Sequence, residues 1–394
     1  NSAKGLEKDL RALKTYLDFA QTYPEHTLAP DALWQAALQL ERDDRHAQAA
    51  DRYNTLADHY PDADLAPQAR FRAGFWRYWI GDLDGALGAW QELAQTHPAT
   101  DAGQQGRYWL GKVLWAKGWA PEARVELQAL ARQHPRSYYG LRAAHLLAQD
   151  GQTPTWRHAP RPAHLTYSEA EERQEVLAWL RAWADLSAFQ PDRPVSSELS
   201  SDPRFRRAVE LHALGLREEA RDEFDALRQA LRERQAALLL YQLALVTRDL
   251  ELYAPSLRAA IDLTVLAPEA SSVDMPPLIQ RLAYPAYYPD LVLAESAAHG
   301  LDPLLLFALI RQESVYDDRV ASWAGAVGLA QIMPATGQWI AEMTAWPQYD
   351  QALLKRAYLN VKFGAWFLDR ILAQANGDVF TALAGYNGGP GLPL

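Results

Sequence analysis

The stretch GDLDGALGAWQELAQTHP, residues 81–98, returns 37 positions later as GWAPEARVELQALARQHP, residues 118–135. Both open on glycine, both place alanine (Ala86, Ala123) five residues on, and both close on His-Pro. A large residue follows each alanine (Trp90, Leu127), and then a leucine (Leu93, Leu130). Upstream, Ala49, Tyr53, Leu56 and Pro61 keep the frame, as do Ala12, Tyr16, Phe19 and Pro24 before them. Trp34, Phe71 and Tyr108 hold one position in the preceding segment of each unit. Apolar residues three and four apart mark amphipathic helices. Asp44, Gly81 and Gly118 mark the short turn, and the prolines mark the connection to the next unit. A pair of helices of this kind cannot bury its apolar face alone, so neighbouring pairs stack into a solenoid.

The period and the small/large pattern resemble tetratricopeptide-type repeats, a little longer than their usual ~34 residues. Ala12, Tyr16 and Phe19 match the second helix of a unit, so the chain enters the array half-way through a repeat. It opens on Asn1 rather than Met, as a processed chain or a fragment does, and Asn1 to Lys4 show no secretory signal. Residues 151–165, with Pro154, Pro160 and Pro162, break the pattern, and Pro191 to Pro203 form a second connector. Gly215, Ala220, Phe224 and Leu227 then restore the repeat spacing, and two amphipathic helices are predicted near 234–247 and 250–263. Val265 to Pro277, with three prolines, is the clearest boundary. No segment sustains period-2 alternation. The reading is all-α: a helical-repeat solenoid over 1–150, a second helical segment over 151–275, and a separate domain over 276–394. Short extended pieces are expected only near the site of that last domain.

Hydrophobic residues make up 49% of 394, which excludes a disordered chain. No apolar run approaches the ~18 residues of a membrane span. A net charge of −10 argues against nucleic-acid binding and against electrostatic attachment to anionic lipid or wall polymer. The C-terminal part is no basic island either, with 6 Lys/Arg against 10 Asp/Glu over 286–394. Cysteine is absent, so there are neither disulfides nor thiolate metal sites. No His/Asp/Glu spacing suggests a metal, and no glycine loop suggests a phosphate site.

Within 276–394 the informative stretch runs from Asp302. Asp302-Pro303 reads as an N-cap followed by proline at the first helical position. Leu304 to Ile310 has no polar face and predicts a helix buried on all sides. It ends in Arg311-Gln312-Glu313-Ser314. Burial and the negative end of the helix dipole both disfavour the Glu313 anion, and a carboxyl kept neutral near pH ~7 suits a general acid. The alternative is a solvated glutamate paired with Arg311. Gly325 and Gly328 predict a loop with positive φ or close backbone approach. Asp317 and Asp318 lie four and five positions after Glu313; a second carboxylate facing the reacting centre would permit a two-carboxylate mechanism, and a solvated turn is the simpler reading.

Four ordered motifs in this region resemble the soluble lytic transglycosylases of bacterial cell walls. They are Glu313-Ser314, Gly328-Leu329-Ala330-Gln331 with Met333-Pro334, Asn360-Val361 with Gly364, and Gly385-Tyr386-Asn387. Tyr284-Pro285, Tyr288-Pro289-Asp290 and Leu301-Asp302-Pro303 look like that family's entry into its catalytic domain, and Ser137-Tyr138-Tyr139-Gly140 like its last repeat. The resemblance implies a lysozyme-like, mainly helical catalytic domain behind an α-superhelical N-terminal part. It implies non-hydrolytic cleavage of the MurNAc–GlcNAc bond of peptidoglycan with 1,6-anhydro-MurNAc ends, Glu313 acting first as acid and then as base, and no cofactor.

By the same resemblance, Ser322 contacts the reacting sugar, or is simply a loop or N-cap serine. Gln331 borders the groove, or satisfies a loop backbone. Met333 lies on a sugar face, or fills the core. Tyr386 orients Glu313 or the sugar, or is a core tyrosine. Ser314 and Asn387 complete the substrate-binding set, Asn387 through an Asx-type bond that fixes its loop, and Asn360 is structural. Ala330 stands where the family has Met, which removes a side chain that would line or support the groove. The family's sequence also runs on past the Tyr-Asn motif, so an end at Leu394 is expected to mean either a C-terminally truncated chain or a groove that lacks one wall.

The substrate implied is the peptidoglycan glycan strand, and the compartment the periplasm or an equivalent envelope space. The solenoid suits guiding glycan strands or binding cell-wall synthesis proteins. Competing readings are a hydrolytic muramidase on the same fold and a non-catalytic scaffold with a degenerate lysozyme-like domain.

Overall fold

The computed structural model describes residues 2–98, 100–135, 137–148, 168–268 and 275–388, with side chains from residue 11 onward. The predicted break at 151–165, part of the 265–277 boundary and the last residues before Leu394 lie outside these. The chain divides into two compact units, 1–155 and 156–394. The expected 151–275 segment thus falls almost entirely in the second unit, together with the 276–394 domain.

The first unit is a run of paired helices: Ser2–Thr22, Ala29–Arg42, His46–His59, Ala66–Trp79, Leu83–Thr96, Asp101–Ala116, Ala120–Gln133 and Tyr138–Ala148. Each packs on the next in sequence. The turn positions are left-handed, with φ of 55° at Asp44, 85° at Gly81 and 79° at Gly118. Ala49, Ala86 and Ala123 are fully buried, as are Tyr53, Trp90 and Leu127. The holes that receive these large residues have their own period, which the sequence reading passed over: Ala37, Gly74 and Gly111. A Cβ on Gly74 would come within 2.5 Å of Trp90, and one on Gly111 within 2.5 Å of Leu127. Trp90 also donates its indole N–H to the Phe71 carbonyl at 3.2 Å, so the buried ring leaves no polar atom unpaired.

The second unit holds two hydrophobic cores. One joins the helices Glu169–Arg181, Pro203–Ala213, Arg217–Glu233, Ala237–Asp249 and Tyr253–Leu266 to Pro277–Ala283. Phe224 and Leu227 sit in it, after a left-handed Gly215 (φ 78°), as the restored repeat spacing required. The next two helices start about three residues later than predicted. The left-handed residues that mark their turns are Gln235 (φ 54°) and Glu251 (φ 55°), which carry no glycine signal.

The other core surrounds Pro303–Ser314 with Pro289–His299, Pro334–Met343, a 3-10 turn at Gln351–Lys355, Ala357–Gln374 and Val379–Gly388. The only extended pairing among the described residues is Ala321 with Val327 and Val327 with Ile332, beside the site helix as expected. Among the described residues no helix is long and apolar enough to cross a membrane.

Candidate active site

Asp302 caps the site helix as its sequence predicts: its side chain accepts from the Leu304 N–H at 2.8 Å and Pro303 takes the first turn. Leu305, Leu306, Phe307, Leu309 and Ile310 are buried. Burial on all sides, however, does not hold. Leu304 is 60% exposed and Ala308, one turn on, is exposed too, because the flanking helices close round the remaining faces. Glu313 stands half-buried in the last turn. It takes no hydrogen bond or ion pair from any described residue, and burial alone pushes its carboxyl above the usual glutamate range. Pairing with Arg311 is excluded. That guanidinium donates to the Ala283 carbonyl at 2.9 Å and lies 4.6 Å from the Tyr284 ring centre.

The chain reverses directly after the helix. Val315 and Tyr316 are both left-handed, at φ 54° and 59°. The buried Tyr316 hydroxyl lies 2.8 Å from the Pro285 carbonyl and 3.2 Å from that of Phe307. Asp317 and Asp318 do not form a solvated turn. Both pair with Arg221 of the helix Arg217–Glu233, at 2.5 and 3.3 Å.

The loop that follows is pinned by backbone and amide bonds. Ser322 N–H donates to the Ala326 carbonyl at 2.9 Å, and the Ser322 hydroxyl accepts from Ala326 N–H at 3.0 Å, which is the loop-serine reading. Gly325 and Gly328 are left-handed, at φ 91° and 79°. The Gln331 amide nitrogen donates to the carbonyls of Gly328 (2.8 Å) and Val320 (3.3 Å), again the bland alternative. Its amide oxygen takes no proton from a described residue. Asn360, fully buried, accepts from Ala330 N–H at 2.7 Å and donates to the carbonyls of Val327 and Leu354, both at 2.8 Å. It is the structural post the sequence suggested.

Met333 is 40% exposed, so core filling is excluded for it. Trp323, beside Ser322, stands fully in solvent; the sequence reading passed over it, although a large apolar residue between small ones at a loop tip was a usable signal.

Tyr386 is buried on Phe367, and its hydroxyl donates to the Ala330 carbonyl at 2.8 Å. Burial, and then the charge of Glu313, push its pKa up, so the phenol stays protonated near that carboxyl. Ala330 is itself fully buried rather than groove-lining. A Cβ on Gly364 would lie 2.5 Å from its own, so the small residue at 330 and the glycine at 364 fit one another. Two expectations need correction. Ser314 is buried and donates its hydroxyl proton to the Ile310 carbonyl at 3.0 Å, which turns it away from a ligand in the groove. Asn387 lies within the helix Val379–Gly388, exposed and making no Asx-type bond among the described residues. Helix geometry there removes the turn such a bond would close.

The family model described as the transglycosylase SLT domain matches residues 290–392, and a tetratricopeptide-repeat model matches 31–63 and 68–100. Over 109 residues the chain is 32% identical to the soluble lytic murein transglycosylase of Salmonella typhimurium, a match covering 27% of this chain and 17% of that protein. Over 96 residues it is 38% identical to the transglycosylase of Enterobacteria phage PRD1, covering 24% of this chain and 32% of the phage protein.

Among solved structures it resembles the lytic transglycosylase Slt of Pseudomonas aeruginosa, with a TM-score of 0.65 and 22% identity, over 96% of this chain and 54% of that one. It also resembles the 70 kDa soluble lytic transglycosylase of Escherichia coli, with a TM-score of 0.56 and 21% identity, over 96% of this chain and 58% of that one. Matches of this length span well under two thirds of each relative, and at these identities the structures establish the fold alone. Residues 290–392 thus match the transglycosylase SLT domain and residues 31–63 and 68–100 match tetratricopeptide repeats, on the all-α fold these solved structures share.

Proposed function

We propose that the chain cleaves peptidoglycan glycan strands as a lytic transglycosylase, with Glu313 as the single acid and base. The observation that carries this is the state of Glu313: half-buried, unpaired among the described residues and held toward its neutral form, in a domain of the SLT family. One similar structure, from Pseudomonas aeruginosa, is of an inactive mutant with a glutamate replaced by glutamine. Glu313 is the counterpart we assign here.

The neutral carboxyl donates its proton to the oxygen of the MurNAc–GlcNAc bond as that bond breaks. The carboxylate left behind takes the proton of the MurNAc 6-hydroxyl, whose oxygen closes on the anomeric carbon. Glu313 ends protonated, the product carries a 1,6-anhydro end, and no water is consumed. A pKa near the working pH serves both steps. The Tyr386 proton is already committed to Ala330, so toward Glu313 this oxygen can only accept; such a contact favours the acid form. Met333 and Trp323 offer exposed apolar surface to sugar faces, and the free Gln331 amide oxygen can accept from a sugar hydroxyl or amide. Peptidoglycan places the protein in the periplasm or an equivalent envelope space.

A hydrolytic muramidase would need a second carboxylate to place a water or trap the sugar. Asp317 and Asp318 are committed to Arg221, which favours the one-carboxylate route. Mass spectrometry of digested wall decides, since an anhydro end lacks one water relative to a reducing end. Reducing ends alone would establish the hydrolase, and an intact wall under the full chain would establish the scaffold.

A further inference from the structure

We infer that Arg221, outside the matched SLT segment, is a positioning residue of the active site. The claim rests on Glu313 as the reacting group proposed above. Arg221 lies in the helix Arg217–Glu233, and its side chain is only 12% exposed. One guanidinium nitrogen meets Asp317 at 2.5 Å and the other meets Asp318 at 3.3 Å. Asp317, 13% exposed, is also 3.6 Å from Arg258 of the helix Tyr253–Leu266, and Arg258 is itself held by Asp225 at 2.5 Å. Arg319 extends the seam to Glu218 at 2.6 Å. Three consecutive residues, starting four positions after Glu313, are thus tied to the preceding helices.

The backbone shows what the seam holds in place. Val315 and Tyr316 are consecutive non-glycine residues in the left-handed region, which is costly above all for a β-branched side chain. Tyr316 fixes the reversal from one side through the carbonyls of Pro285 and Phe307. The Asp317–Asp318 clamp on Arg221 fixes it from the other. Between them they set where the chain leaves Glu313 and how the loop bearing Ser322, Trp323 and Gln331 is presented. The clamp acts through geometry, because burial alone raises Glu313 and no neighbouring charge contributes. Arginine suits the task, since its planar fork reaches two carboxylates at once while an ammonium is a single point.

The test compares the full chain with Arg221→Ala, Arg221→Lys, Asp317→Asn and the double variant Arg221→Ala/Asp317→Asn. Arg207→Ala, which removes an exposed pair with Glu223 on the same helix, is the control. Steady-state kinetics on a soluble glycan and hydrogen exchange over 315–333 are measured side by side. Arg221→Ala should lower kcat by about 10- to 100-fold with KM little changed, as a small misplacement of a reacting group does. It should also raise exchange over 315–333 while the core of 357–374 keeps its protection. Arg221→Lys should recover part of the rate, and the double variant should be no worse than the poorer single one.

If Arg221→Ala does not fold, Asp317→Asn, which leaves Arg221 its Asp318 contact, carries the same readouts. Unchanged kcat and unchanged exchange over 315–333 would overturn the inference, as would equal losses in Arg207→Ala. A full chain that cleaves no glycan would overturn the proposed activity instead, and exchange over 315–333 would then decide the positioning claim by itself.

Discussion

Glu313 makes two demands that a single substitution separates. As the proton carrier it should be worth roughly 10²–10⁴ in rate, so Glu313→Gln should lose that much anhydro-product formation, read by mass spectrometry of digested wall. As a carboxyl raised by burial it should also tax the fold when ionised. Its folded pKa lies above the unfolded one. The stability it contributes is therefore complete below the ordinary glutamate pKa and is lost as pH rises through the folded value. Glutamine stays neutral throughout. Glu313→Gln should hence raise Tm in neutral and alkaline buffer and leave it unchanged in acid, a difference that thermal scans at the two pH values check. Gln331 and Ser322 were visible as motif residues, but their sequence reading left two roles open for each. The structure shows both tied to their own loop, Gln331 by its amide nitrogen and Ser322 by its hydroxyl.

At the scale of elements, the loop 320–333 depends on Asn360 and Gly364 of the helix Ala357–Gln374. Asn360 makes three hydrogen bonds with no access to water, so Asn360→Ala strands buried backbone groups. It should cost ~3 kcal/mol or more in denaturant unfolding. Gly364→Ala brings two methyl carbons to 2.5 Å where neither can yield freely. We expect a loss of ~1–3 kcal/mol together with a displaced Ala330, read by Tm and by activity. The sequence announced a packed helix with a close-approach glycine here. It did not announce the partner, because Ala330 and Gly364 meet only once two segments 34 residues apart are folded (364 − 330 = 34). The repeat helices show the same division. Their large and small residues both keep the period, whereas which large residue fills the hole at Gly74 or Gly111 emerges only when a neighbouring helix is laid against them.

For the molecule as a whole, a net charge of −10 sets how it would meet the anionic wall proposed above as its substrate. Attraction has to come from shape, stacking and hydrogen bonds, which salt does not screen. Glu313→Gln protein co-sedimented with insoluble wall should be retained as well at about 200 mM salt as at about 50 mM. Retention that falls steeply with salt would point to a cationic patch in control.

The sequence by itself determined the all-α class, the repeat frame and the capped helix ending in Glu313, because periodicity, caps and turn residues act between neighbours along the chain. Tertiary structure alone decided that Ser314 points inward, that Tyr386 gives its proton to Ala330, and that Asp317 and Asp318 are held by an arginine nearly a hundred residues upstream. Charge pairing and burial depend on which segments are brought together, and at those distances along the chain the sequence carries no spacing rule to follow.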